Sequence, residues 1–178
     1  MAAVLAFAGR MGSGKTTLTI ALAEVLGCKR ASFGDYVRNV VKARGLEETR
    51  ENLQKIGTGL LEQDRLGFCS EVLRHAGWEP GEGLVLDGLR HAETIDLLRQ
   101  LVSPLTFKIV YLEIDDGIRL ERLGARGEGE REALSLAEAH SSELQVTTVL
   151  ARLADLTIDS GSSVQETVRR VVEWAQNQ

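Results

Sequence analysis

Apolar positions along the chain switch repeatedly between a strand-like and a helix-like rhythm. Ala3 to Ala8 is one short apolar run, the length of a single buried strand. Leu18, Ala21, Leu22, Val25 and Leu26 then recur at helical spacing up to Gly27, a helix stop. Lys29 to Phe33 reads as a short second strand, followed by a helix from Gly34-Asp35 towards Arg44, stopped by Gly45. From Glu47 to His75 the pattern is helical, with Leu53, Ile56, Leu60 and Leu61 on one face. Gly57, Gly59 and Gly67 interrupt it, and each costs about 1 kcal/mol relative to alanine, so a break or kink is expected there.

Trp78 to Gly83 is a loop, and Leu84-Val85-Leu86 a buried strand. His91 to Val102 reads as a helix ended by Pro104, and Phe107 to Ile114 as the longest strand, with Asp115-Asp116 capping the next helix. A further helical stretch covers Glu132 to Leu150, and Ala154 to Ile158 resembles a final strand. Ser163-Val164-Gln165-Glu166 is a capping box, opening a helix with Val164, Val168, Val171, Val172 and Ala175 on one face. Alternating strands and helices predict an α/β fold in three layers. It has a five-stranded parallel sheet, helices on both faces and right-handed crossovers. No linker, repeat or low-complexity tract divides residues 1–178, so a single domain is expected.

Between the first strand and the first helix lies Gly9-Arg10-Met11-Gly12-Ser13-Gly14-Lys15-Thr16, two glycines four residues apart followed by Lys and Thr. Strand, glycine loop, helix is the context in which this pattern cradles phosphates. The glycines let backbone N–H groups converge on an anion, and the helix N-terminus adds partial positive charge. This assigns nucleoside triphosphate binding, with ATP as the donor, to Gly9, Met11, Gly12, Ser13, Gly14, Lys15, Thr16 and Thr17. Lys15 reaches the outer phosphates and Thr16 offers a hydroxyl to Mg2+. Leu84-Val85-Leu86-Asp87-Gly88 supplies the second part, an apolar strand ending in a carboxylate that holds the same ion.

Composition narrows the partners. With 43% hydrophobic and 26% charged residues, the 178-residue chain has a globular make-up. Its net charge of −5 argues against broad nucleic-acid binding. The N-terminal apolar run lacks a basic flank, and no stretch approaches the roughly 20 apolar residues of a membrane span. Cys28 and Cys69 have no metal-like spacing and read as reduced thiols of a cytoplasmic protein. Monomer and homodimer are equally compatible with the pattern.

Ser32-Phe33-Gly34-Asp35-Tyr36-Val37-Arg38 resembles the Ser-x-Gly-Asp-x-x-Arg run of adenylate kinases, members of the nucleoside monophosphate kinases. There the arginine grips the acceptor phosphate, and the resemblance implies that role for Arg38, with Asp35 beside it. A guanidinium suits bidentate phosphate binding. Asp87-Gly88-Leu89-Arg90 is similar to that family's Asp-Gly-x-Pro-Arg, without the proline and with the arginine one residue earlier, and implies an acceptor-side role for Arg90. The charged stretch with Arg119, Arg122, Arg126 and Arg131 resembles the entry to the family's mobile lid, so Arg122 and Arg126 are expected to act on the transferring phosphoryl group or donor base. Residues 34–76 would form the acceptor-binding segment and 119–145 the lid. Arg50-Glu51-Asn52-Leu53-Gln54-Lys55-Ile56-Gly57-Thr58 is similar to a run in phage-type deoxynucleotide kinases, and Arg50 and Gln54 share a helical face.

The resemblance implies a small-molecule kinase, and two acceptors compete. A monophosphate acceptor is already ionised and needs no base, which makes Asp35 a helix cap and anchor. A hydroxyl acceptor, as in the similarly laid-out dephospho-coenzyme A kinases, makes Asp35 the proton acceptor. A nucleotide-binding regulator with slow ATPase activity would need neither. The Ser-x-Gly-Asp-x-x-Arg and Asp-Gly-x-Arg runs favour the monophosphate.

Overall fold

The computed structural model describes residues 3–125 and 145–177. Its strands are β1 (Ala3–Gly9), β2 (Lys29–Ser32), β3 (Leu84–Asp87), β4 (Thr106–Glu113) and β5 (Leu156–Asp159). They form one parallel sheet in the order β2-β3-β1-β4-β5. The helices are α1 (Lys15–Leu26), α2 (Phe33–Ala43), α3 (Arg50–Gln63), α4 (Arg65–His75), α5 (Ile95–Leu101), α6 (Asp116–Gly124) and α7 (Val164–Gln176). A 3₁₀ turn over Ala92–Thr94 leads into α5, and a π-helical turn over Val146–Leu150 continues through Ala151–Leu153. This is the expected three-layer α/β architecture.

Successive residues of a strand point to opposite faces, and the buried side chains sort accordingly. Val4, Ala6, Ala8, Leu84, Leu86, Ile109 and Tyr111 face a core shared with α2–α5. Leu5, Phe7, Val85, Val110 and Leu112 face a second core with Leu18 and Leu22 of α1 and Val168 and Val171 of α7. Central strands covered on both faces need continuous apolar runs, which explains why they were readable from the sequence.

Two local expectations are corrected. The helical stretch after residue 47 does not break at Gly57 or Gly59, since α3 runs through both. It breaks at Asp64, whose carboxylate accepts from the Gly67 N–H at 2.8 Å and caps α4. Gly57 lies where α3 meets α2, and a Cβ there would be in ordinary contact with Val37 Cγ2 at 3.6 Å. The capping box at α7 is half formed. Ser163 Oγ accepts from Glu166 N at 3.2 Å, while the Glu166 carboxylate takes Arg169 instead.

Cys28 and Cys69 are free thiols, and burial pushes Cys69 up to about 11. Among the described residues, no helix is long and apolar enough to cross a membrane.

Candidate active site

Parallel pairing brings the chemistry to the C-terminal edge of the sheet. Asp87, last residue of β3, is level with Phe7 on one side and Ser32 on the other. The glycine loop therefore leaves β1 next to Asp87, and α2 leaves β2 on its far side. This is where open parallel sheets bind ligands.

The loop is built by its glycines and by contact with β4 and α6. Gly9 has φ of 152°, and a Cβ on it would stand 2.7 Å from the Leu112 carbonyl oxygen. Gly14 caps α1 at φ of 84°, a left-handed conformation that favours glycine. Lys15 is buried, and its Nζ donates to the carbonyls of Gly9 at 2.5 Å and Arg10 at 2.9 Å and to Ser13 Oγ at 3.4 Å. Thr16 Oγ1 donates to Asp87 Oδ2 at 3.1 Å, so the two residues singled out for Mg2+ are neighbours. Hydroxyl and carboxylate oxygens are the donor chemistry Mg2+ prefers, and the pair fits that ion.

Beyond Asp87 the charges alternate. Arg30 of β2 pairs with Asp87 and, at 2.8 Å, with Asp35. Asp35 also takes Arg38 at 2.9 Å, and its backbone N–H donates to Ser32 Oγ at 3.2 Å. Burial pushes the Asp35 carboxyl up. The hydrogen bond and charge of Arg30, with Ser32 and Arg38, outweigh that and hold it below the usual aspartate range.

One cleft of about 410 Å³ joins these parts. Met11, Gly12, Gly14, Lys15, Thr16 and Thr17 line one end, with Asp87 and Gly88 at its floor. Arg38 of α2, Arg50 and Gln54 of α3, and Arg90 after β3 line the remainder. The Arg50–Thr58 run thus faces the cleft, and so does His91, which motif reading barely distinguishes. Val37, Leu53, Leu61 and Phe68 add an apolar wall that no motif announced. Asp35 stands behind this surface, reaching it through Arg38.

The lid-entry arginines divide. Arg122 of α6 reaches the start of α1, where a Cβ on Gly14 would be 3.5 Å from its Nη1, and its Nη2 donates to the Ser160 carbonyl at 3.0 Å. Arg119 is buried against the loop instead of lining the cleft, bonded through Nε to Asp116 at 3.1 Å. Asp116 in turn takes Arg10 of the loop at 2.6 Å, which ties loop to helix. Arg126 and Arg131, with most of the 119–145 segment, lie outside the described residues.

Sequence reasoning did not single out Arg30: a basic residue in a four-residue strand carries no motif, and only the structure shows its two carboxylate partners.

A sheet of this order, with a glycine loop entering α1 and a carboxylate closing the adjacent strand, defines the P-loop kinase type of nucleotide-binding domain. A family model described as an AAA domain matches residues 5–144. A UPF0200 protein of Aeropyrum pernix is 35% identical over 162 residues, 89% of this chain and 85% of its own. Adenylate kinase 1 of Synechocystis is 35% identical over 137 residues, 71% of this chain and 70% of its own. Shikimate kinase from Aquifex aeolicus shares the fold, with a TM-score of 0.60 at 15% identity over 98% of this chain and 96% of that one. The chain belongs to this AAA domain family, within the P-loop proteins that are nucleoside monophosphate kinase-like.

Proposed function

We propose that the chain is an ATP-dependent phosphotransferase that moves the γ-phosphate to a nucleoside monophosphate. One observation carries this reading: a single cleft is lined by the phosphate loop and by Arg38, Arg50 and Arg90, guanidiniums from separate elements. A donor site alone, as in a regulatory ATPase, gives no reason for three cations around its second half. Phosphoryl transfer between two anions does, because their mutual repulsion must be offset before they can align. The adenylate kinase relative supports the same acceptor class.

In this reading the glycine-loop N–H groups and the α1 N-terminus hold the donor phosphates. Lys15 exchanges its carbonyl partners for phosphate oxygens. Thr16 and Asp87 hold Mg2+, which when bound offsets charge on the β- and γ-phosphates. Arg38 and Arg90 orient the acceptor phosphate, whose attacking oxygen is already ionised. Gln54 and the apolar wall of Val37, Leu53 and Leu61 suit a flat base with a polar edge. Arg122 lies on the donor side beside Gly14 and, with Arg126, is assigned to charge stabilisation during transfer.

Asp35 is an anchor in this scheme. A general base works best with a pKa near the operating pH, and Asp35 is held the other way, below the ordinary aspartate range. Its carboxylate oxygens are also occupied, one by Arg30 and one by Arg38. This environment favours the monophosphate over a hydroxyl acceptor.

The test is product analysis. ATP and Mg2+ are incubated with AMP, GMP, CMP, UMP or dephospho-coenzyme A, and products are separated by chromatography. Diphosphate formation is expected for at least one monophosphate, and Lys15→Ala should reduce it by a factor of about 100 or more. ADP release at one rate whatever the acceptor would overturn the reading, and coenzyme A formation would transfer it to a hydroxyl acceptor.

A further inference from the structure

The scheme above leaves Arg30 without a task, although it bonds to Asp87 on the cleft's lining and to Asp35 beside it. Its side chain is 16% exposed. Each of its three nitrogens donates: Nε to Thr19 Oγ1 at 3.0 Å, Nη1 to Asp35 Oδ2 at 2.8 Å, and Nη2 to Asp87 Oδ2. One guanidinium thus joins α1, α2 and the end of β3. The Asp87 oxygen it takes is the one that accepts from Thr16. The other oxygen of Asp35 takes Arg38. The result is a row of alternating charge, Asp87, Arg30, Asp35, Arg38, running from the metal-holding end of the cleft to its acceptor end.

We propose that Arg30 is a positioning residue, an internal counter-cation that holds Asp87 and Asp35 together and so sets both the metal response of the donor end and the aim of Arg38 at the acceptor end. The inference rests on the kinase reading and adds a residue to it.

The argument is electrostatic. A cleft meant for two phosphate-bearing molecules has one carboxylate, Asp87, on its lining and a second, Asp35, behind it, and each repels them. Arg30 sits between the carboxylates and cancels part of that charge in a poorly hydrated place, where screening is weak. Without it the cleft is one unit more negative. A metal-free triphosphate is then repelled more strongly, whereas a divalent cation is attracted more strongly. The advantage that Mg2+ confers on nucleotide binding must therefore grow. At the other end, Asp35 loses one of its two guanidiniums and draws Arg38 more tightly to itself, leaving less of Arg38 for an acceptor phosphate. Lysine in the same place keeps the charge but has one ammonium, not a planar fork that spans three partners.

The experiment compares wild type, Arg30→Met, Arg30→Lys and Arg30→Met/Asp35→Asn, each checked for cooperative melting. The dissociation constant of the non-hydrolysable analogue AMPPNP is measured by calorimetry with EDTA and with Mg2+. Its ratio, metal-free over metal-bound, should rise about tenfold in Arg30→Met, the worth of a hydrogen bond to a charged group, and stay within about twofold in Arg30→Lys. In parallel, KM and kcat are measured for AMP, GMP, CMP and UMP. KM for the best acceptor should rise about tenfold in Arg30→Met and about fivefold in Arg30→Lys, and Asp35→Asn added to Arg30→Met should restore at least half of the loss by freeing Arg38.

An unchanged ratio in a folded Arg30→Met protein would overturn the proposal, as would a further loss of acceptor affinity in the double variant. If Arg30→Met does not fold, the lysine variant decides: an acceptor KM equal to wild type sinks the idea. Failure of wild type to bind AMPPNP in either form would instead sink the kinase reading, and the role of Arg30 with it.

Discussion

Arg38 is half exposed, yet its direction is set from below by Asp35, which is itself held by Arg30. A long side chain on a helix surface ordinarily samples many rotamers, and fixing it costs up to about 2 kcal/mol of entropy. Here that cost is met by an ion pair already formed before any acceptor arrives. Removing the guanidinium should therefore act on the acceptor alone. Arg38→Ala is expected to lower kcat/KM for the monophosphate by about 10- to 100-fold, while the affinity for Mg-AMPPNP stays within about twofold. Steady-state kinetics with varied acceptor, beside calorimetry with the analogue, separate the two. A loss confined to nucleotide affinity would move Arg38 to the donor side. At this scale the sequence was a good guide wherever a short motif implies its own geometry. Lys15, Thr16, Asp87, Arg38 and Arg90 all border the cleft. It was a poor guide to Arg30, because nothing local to β2 indicates that carboxylates from α2 and β3 will meet there.

The junction of α3 and α4 shows how competing local signals are resolved at the scale of elements. Three glycines point to a break, each disfavouring a helix by about 1 kcal/mol. The chain breaks instead where Asp64 can cap the second helix. Gly67 contributes by its lack of a side chain: a Cβ there would stand 2.2 Å from Oδ2 of the capping carboxylate, whose Oδ1 takes the Gly67 N–H. Cap and glycine thus form one device. Asp64→Ala should destabilise the protein by about 1 kcal/mol, and Gly67→Ala, which displaces the same carboxylate, by a similar amount. The double variant should cost little more than either single one, because residues that share an interaction are not additive. Urea denaturation of the three variants provides the check, and fully additive losses would contradict the pairing. Gly57 stays helical within α3, beside Val37 of α2, where a Cβ would meet Val37 only at ordinary van der Waals distance.

For the molecule as a whole, the order β2-β3-β1-β4-β5 decides what the motifs can do together. It sets β3 between β1 and β2, so the loop after β1 and the helix after β2 open onto opposite sides of Asp87. In the proposed reading donor and acceptor share this cleft, and occupying both halves should stabilise the fold more than occupying one. A ligand at 100 times its dissociation constant adds about 2.7 kcal/mol. A bisubstrate analogue that joins the adenosine polyphosphate to the preferred monophosphate should raise the melting temperature above either nucleotide at equal concentration. Lys15→Ala should lose most of that gain. Thermal denaturation followed by fluorescence reads both, and equal shifts for the analogue and the single nucleotide would separate the two halves.

The alternation of apolar periods was sufficient by itself for the strands, the three-layer class and most of the described helices, though not for the break between α3 and α4, because burial on both faces demands continuous apolar runs and one-sided burial demands a stripe. The glycine loop was legible too, since its pattern of glycines, lysine and threonine lies within a few residues of chain, although β4 and α6 pack against it. Only the tertiary structure decided which charges become neighbours. Arg50 and Gln54 enter the cleft because α3 packs against α2, Arg119 is buried against the loop because α6 packs there, and Arg30 meets Asp87 because β2 and β3, distant in sequence, lie side by side. Charge has no periodicity to read along a chain. Its meaning is set by what lies across from it, and in the glycine-loop site of this protein that is Asp35 and Asp87 on either side of Arg30.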